Sequence, residues 1–212
     1  MPCVTTEQID FLFRTTHLSE SFFYKVTPAV SDFPTLKTER LTLRELTQED
    51  AVGLFAIHSD AEAMKWFGAD PITEPHQAEQ LIELFASWRT SANPGIRWGI
   101  EDIATAALIG TCGFFKWNRA WRSCAIGFEM AQSAQGQGLM KEAVYAALRW
   151  AFQHMELNRI EALVHPDNAR SLNLLEKAGF VREGTLRQAG YWNAAHQDLV
   201  QLSLLRGECE YL

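Results

Sequence analysis

The chain has 212 residues, is 47% hydrophobic and carries a formal net charge of -7. That length suits one domain with a sizeable core, and no apolar run approaches the ~20 residues of a membrane span. An acidic balance without a Lys/Arg run argues against a phosphate-backbone partner, because such binding needs clustered cations; cationic substrates are instead mildly attracted.

The opening residues lack a basic leader followed by an unbroken apolar run, so the sequence reads as cytoplasmic. Residues 1 to 34 form an N-terminal extension. Thr5 and Gln8 have capping-box spacing there, and Ile9, Leu12 and Phe13 recur at helical intervals, predicting a short docked helix. Pro28 and Pro34 then punctuate the chain, and the main domain is expected over 35–212.

Leu41 and Leu43 alternate with Thr42 and Arg44 as in a half-buried strand, and Thr47 with Asp50 resembles a helix start. Helical patterns follow in AVGLFAIHS and, past a turn at Asp70 and Pro71, in AEQLIELFASW. IRWGIED, ALIGTCGFFKW and SCAIGFEMA are short, β-rich and separated by polar breaks, which predicts a three-stranded antiparallel meander. From Gly136 the period changes: Leu139, Ala143, Ala147, Trp150 and Ala151 suggest a long helix against a sheet. IEALVHP reads as a buried strand, Asn168 caps the helix ARSLNLLEKAG, and Gly179 stops it. FVREGTL and DLVQLSLL complete an α/β (α+β) order of β-α-α-β-β-β-α-β-α-β-β, without internal repeats.

Gln135-Gly136-Gln137-Gly138-Leu139-Met140 spans the junction where a strand gives way to the long helix. Two glycines allow close backbone approach, and amide N–H groups at a helix start, with the positive end of its dipole, form a seat for a pyrophosphate. A dinucleotide fingerprint would need a third glycine where Lys141 stands, and a P-loop would need Gly-Lys-Ser/Thr. A turn using glycine only for its backbone freedom is the bland alternative. Cys3, Cys112, Cys124 and Cys209 show no CxxC or Cys/His spacing, so no metal site is predicted and the thiols are read as reduced and structural.

With those residues in view, the sequence resembles the GCN5-related N-acetyltransferase (GNAT) superfamily, whose cofactor signature is Gln/Arg-x-x-Gly-x-Gly/Ala. Gln135, Gly136 and Gly138 match it, while Met140 departs from the final Gly/Ala in the manner of the RimJ/RimL-like ribosomal-protein acetyltransferase branch. HPDNARSLNLLEKAGFVREGTL is similar to that branch's strand-helix-strand end, through Asn168, Ser171, Leu175, Glu176, Lys177, Gly179 and Phe180. The resemblance runs from about Leu36 to Arg206 and leaves the extension uncovered.

It implies a GNAT fold: a central twisted mixed sheet of about seven strands flanked by helices, with acetyl-CoA in a cleft between splayed strands SCAIGFEMA and IEALVHP. Residues implied to bind that cosubstrate are Met130, Gln135, Gly136, Gln137, Gly138, Leu139, Met140, Asn168 and Ser171. A β-bulge would turn the Met130 N–H toward the thioester oxygen, where it stabilises developing negative charge. Glu129 is the first candidate for the base that deprotonates the amine, directly or through water, if Phe128 packs in the core; a solvent-facing carboxylate is the alternative. Ser171 is implied as proton donor to the departing thiolate, with a helix-start role as an even alternative, whereas Asn168 is read as a cofactor contact as well as a cap. Cys112 and Cys124 are not needed as nucleophiles, and His165, Tyr191 and Trp192 carry no committed role beyond packing or walling an acceptor pocket.

The implied reaction is acetyl transfer from acetyl-CoA to a primary amine, chiefly a protein N-terminal α-amine, possible acceptors including a ribosomal protein. Small amines (antibiotics, polyamines or amino-acid derivatives) are the alternative acceptors, and a non-catalytic acyl-CoA sensor is a third reading. Monomer and homodimer are both compatible with the sequence.

Overall fold

The computed structural model describes residues 33–92 and 94–210; the helix expected near Thr5 to Phe13 lies outside them. Eight strands form one sheet in the order β1-β2-β3-β4-β5-β6-β8-β7. These are β1 (Leu36–Lys37), β2 (Leu41–Arg44), β3 (Ile96–Asp102), β4 (Leu108–Asn118), β5 (Ser123–Met130), β6 (Arg159–Val164), β7 (Val181–Trp192) and β8 (Ala195–Leu205). Every neighbouring pair is antiparallel except β5 and β6. The mixed α/β sheet is the expected one. Its eighth strand is the two-residue β1, too short for any alternation to be read from sequence.

The helices are α1 (Ala51–His58), α2 (Ala61–Met64), α3 (Pro75–Ser87), α4 (Leu139–His154) and α5 (Ala169–Lys177). Thr47 starts the short 3-10 turn Gln48–Asp50 that leads into α1, and Asp50 Oδ2 accepts the Thr47 N–H at 2.8 Å. The four-residue α2 escapes periodicity analysis; Asp60 starts it by accepting the N–H groups of Glu62 and Ala63. The second predicted helix begins a few residues earlier than its apolar pattern. Pro75 occupies its first turn, where a missing N–H costs nothing, and Gln77 Oε1 takes the Glu74 N–H at 2.9 Å.

Helices cover both faces. On one, Ala143, Val144, Ala147, Leu148 and Ala151 of α4 and Leu172 and Leu175 of α5 pack on Leu41, Trp98, Phe114, Ile126 and Ile160 from the strands. The Trp98 indole N–H donates to the Pro34 carbonyl at 2.7 Å, pinning the start of the domain to β3. On the other, Leu54 of α1 and Ala78, Ile82 and Phe85 of α3 form a smaller cluster with Leu46. Cys112 and Cys124 are buried free thiols in this interior. Burial pushes Cys112 up to about 12 and raises Cys124 as well, which suits packing and opposes nucleophilic use.

The feature that positions the site is a parting of strands. β5 and β6 pair only from Ser123↔Arg159 to Ala125↔Glu161. Beyond that, β5 stays with β4 as far as Gly110↔Met130, and β6 stays with β8 as far as Val164↔Val200. A cleft therefore opens between the C-terminal halves of two adjacent strands, as expected for SCAIGFEMA and IEALVHP.

Burial sets an asymmetric mutational response. Leu148 is fully buried whereas Trp121 is 79% exposed. Leu148→Ala is expected to lower unfolding free energy by about 2–5 kcal/mol, and Trp121→Ala by no more than about 0.5 kcal/mol. Chemical denaturation of the two variants beside the parent checks this contrast.

Candidate functional site

The turn from β5 into α4 lies at the open end of the cleft. Gly136 and Gly138 have φ of 79° and 78°, in the left-handed region that residues with a Cβ adopt only with strain. Glu142 N–H bonds the Gly138 carbonyl at 3.2 Å, so the amides of Leu139, Met140 and Lys141 precede the first helical bond of α4. A Cβ added at Gly136 would meet no atom within 4 Å, so the backbone there is approachable from outside. Unspent amides, the dipole's positive end and open space together make an anion seat.

Side chains hold this turn in shape. Gln135 Nε2 donates to the Met130 carbonyl at 3.0 Å, and Arg170 at the start of α5 donates to Gln135 Oε1, linking the two sides of the cleft mouth. Gln137 Nε2 donates to the Ser133 carbonyl at 3.0 Å. Arg40 donates to the Gln137 carbonyl at 3.0 Å and pairs with Glu142, whose negative charge is thereby answered beside the seat. Leu139 is buried and Met140 packs against the core, so toward the seat these two offer backbone amides rather than side chains. Arg40, in the turn between β1 and β2, and Arg170, in the first turn of α5, escape the sequence because each reaches its partners on a distant segment, with no local pattern to mark it.

Met130 stands at the last β4 pair, with its side chain in the core. Pairing from Phe115↔Ala125 to Gly110↔Met130 runs without a register shift, so the expected bulge is absent at this point. Ordinary alternation does its work. Ala131 N–H bonds the Ile109 carbonyl of β4 at 2.9 Å, and in a regular ladder the backbone groups of the preceding residue point the other way, away from β4. Asn168 caps α5, its Oδ1 accepting the Ser171 N–H at 3.1 Å. The cap thus uses the Ser171 amide and leaves its hydroxyl out of the bond.

Phe128 packs against the core, and alternation sends Glu129 to the opposite face, under α1. The carboxylate is not open there. It is 6% exposed and engaged at both oxygens: Arg97 of β3 bonds Oε2, Thr111 of β4 bonds Oε1, and His58 Nε2 lies 3.1 Å from Oε1. Arg97 is itself fixed, donating to Thr111 Oγ1 at 2.6 Å and to the Gly127 carbonyl at 3.0 Å. Burial, the largest single influence, pushes the Glu129 carboxyl up; Arg97's charge and the His58 and Thr111 hydrogen bonds together outweigh it and hold the carboxyl below its usual range. Neither alternative in the sequence reading foresaw this enclosure, because His58, Arg97 and Thr111 are far from Glu129 along the chain.

The same face carries an aromatic roof. The Phe67 ring meets the His58 ring edge-on at 5.2 Å, and Trp66 stacks on His165 at 4.3 Å between centroids. His165 follows the last residue of β6; its Nδ1 accepts the Asp167 N–H at 3.1 Å and its Nε2 faces Gln197 Oε1 at 3.2 Å. Trp192 is buried and donates from Nε1 to the Lys65 carbonyl at 3.2 Å, while Asn193 N–H reaches Asp70 at 2.6 Å. The loop after α2 is thus stitched to the β7–β8 turn. Tyr191, 49% exposed, instead meets His196 at 5.0 Å.

Because the folded state favours ionised Glu129, its stabilising effect is present above the ordinary carboxyl value of 4.5 and is lost as pH falls below it. Glu129→Gln is expected to flatten the acid side of the stability curve, measured by denaturant midpoints across acidic pH.

The acetyltransferase (GNAT) domain model matches residues 40–181. An uncharacterised N-acetyltransferase of Bacillus subtilis, YoaA, is 37% identical over 174 residues, covering 82% of this chain and 98% of the relative. YdaF of the same organism, named as a candidate ribosomal N-acetyltransferase, is 30% identical over 81% of this chain and 94% of its own length. Among solved structures, spermidine N-acetyltransferase from Vibrio cholerae, in complex with CoA and spermine, superposes with a TM-score of 0.71 at 25% identity, covering 81% of this chain and 98% of the other. With a cleft between parting strands, a glycine-built anion seat at its mouth and a family match across most of the domain, the chain belongs to the GNAT family of N-acetyltransferases.

Proposed function

We propose that the chain transfers an acetyl group from acetyl-CoA to the N-terminal α-amine of a protein, of the ribosomal-protein type, by direct attack. The observation that carries this reading is the coincidence of the Gly136/Gly138 turn with the parting of β5 and β6. The first suits a diphosphate, and the second suits an extended pantetheine arm whose amides replace the missing ladder partners. Acetyl-CoA brings the activated thioester. Gln135, Gly136, Gln137, Gly138, Leu139 and Met140 hold its diphosphate, and Asn168 and Ser171 line the β6 side.

In this reading the Met130 N–H, directed away from β4, donates to the thioester oxygen as negative charge develops there. Holding amine and thioester side by side supplies much of the acceleration, and no enzyme nucleophile is required. The Ser171 hydroxyl, left out of the helix cap, gives the departing sulfur its proton. Glu129, with both oxygens engaged, serves as an ordered negative charge beside the reacting centre, where an ammonium must give up a proton before it attacks.

The name of YdaF favours a protein acceptor. The roof supports the same choice: Asp70 is bonded to Asn193 and Glu129 to Arg97, so these carboxylates are already committed rather than waiting for the second ammonium of a polyamine. A small polyamine is the second reading, favoured by the likeness to the spermidine enzyme and by the net charge of -7.

Titration calorimetry is expected to register uptake of acetyl-CoA and CoA by the full chain. Gly138→Val, which forces a branched residue into the left-handed region, is expected to weaken that uptake by about tenfold or more. Uptake by neither form of the cofactor sinks the reading. A thiol-release screen over N-terminal peptides and polyamines, with mass spectrometry of products, then assigns the acceptor: acetylated spermidine with untouched peptides reverses the choice made above.

A further inference from the structure

His58 lies at the centre of the site's polar interior, against Glu129. It is the last residue of α1 and only 1% exposed. Two constraints fix it: its carbonyl accepts the Ile72 N–H at 3.0 Å, and Phe67 meets its ring edge-on at 5.2 Å. Its Nε2 lies 3.1 Å from Oε1 of Glu129, whose next residue is Met130 at the cleft. A carboxylate only accepts, so Nε2 carries the hydrogen in this pair, and in the neutral ring Nδ1 holds the lone pair.

We propose that His58 is a positioning residue for the acetyl transfer, its Nε2–H fixing the orientation of the Glu129 carboxylate; this rests on the transfer reaction proposed above. The groups gathered around it, from every strand of the cluster, are Glu129 on β5, Arg97 on β3 and Thr111 on β4, with uncharged Phe67 above. Arg97 and Glu129 cancel. His58 adds a fixed N–H donor, so the Glu129 carboxylate keeps one orientation beside the place where an ammonium must lose a proton before it attacks.

Proton balance closes on this scheme. One proton of the ammonium passes to water before the attack. As the C–N bond forms and the C–S bond breaks, a second hydrogen leaves the attacking nitrogen and ends on the thiol. Overall, ammonium and thioester give amide, thiol and one released proton.

The test compares His58→Leu and His58→Gln with the parent in thiol release against the best acceptor of the screen. The glutamine keeps an N–H donor for Glu129; the leucine offers none. His58→Leu is expected to lose about tenfold or more in kcat with KM for acetyl-CoA within about twofold of the parent. His58→Gln is expected to recover most of that kcat. A kcat unchanged in His58→Leu overturns the proposal, as does equal loss in both variants. Calorimetric acetyl-CoA uptake separates this from the function itself. Uptake retained with kcat unchanged in His58→Leu removes His58 alone, whereas no uptake by the parent removes the transferase reading. Should His58→Leu fail to fold, His58→Phe takes its place in the same comparison.

Discussion

Everything the site offers depends on two adjacent parallel strands ceasing to pair. After Ala125 and Glu161, β5 keeps its partner in β4 and β6 keeps its partner in β8, so each strand remains ordered while the edge facing the other is left without a ladder. Unpaired backbone groups in an interior are costly unless something bonds them. A ligand with an extended, amide-bearing arm answers that need. Gln135 already takes one of these groups, the Met130 carbonyl, and thereby couples the cleft to the glycine turn at its mouth.

The strands can part without the sheet collapsing because α4 and α5 brace the core face below, through Leu148, Ala151, Leu172 and Leu175. On the other face the bracing is electrostatic. Arg97 ties β3 to β4 through Thr111 and to β5 through Gly127 and Glu129. A buried ion pair of this kind adds little net stability over an apolar replacement, but removing one partner strands a charge in the interior and is strongly destabilising. What it secures is geometry: three strands and the end of α1 keep one register at the point where Met130 faces the cleft.

Charge is distributed accordingly. At the mouth, Arg40 answers Glu142, leaving the helix dipole and free amides of α4 to favour an anion. On the α1 face Glu129 is answered by Arg97, and Phe67 closes over His58 beside it, while Trp66 and Trp192 gather on His165. One end of the cleft is thus suited to an anion, as the proposed acetyl-CoA would use it.

Sequence alone determined the features that are local. Alternation in Leu41–Arg44 and SCAIGFEMA, the apolar stripe of α4, the Asn168 cap and the Gly136–Gly138 turn each declare themselves within a dozen residues, because hydrogen-bond period and backbone sterics act over that range. The hairpin of β7 and β8 was under-read, since its shifts near Gly184 and Gly190 interrupt the alternation that marks a strand. Only the tertiary structure decided that Glu129 is enclosed, and by what. His58, Arg97, Thr111 and Glu129 come from four elements spread over 71 positions, and their meeting follows from sheet order and helix packing. No periodicity records which side chain will stand opposite another across a sheet. Burial and nearby charge, which govern how a carboxylate behaves, are properties of the assembled fold rather than of the residue.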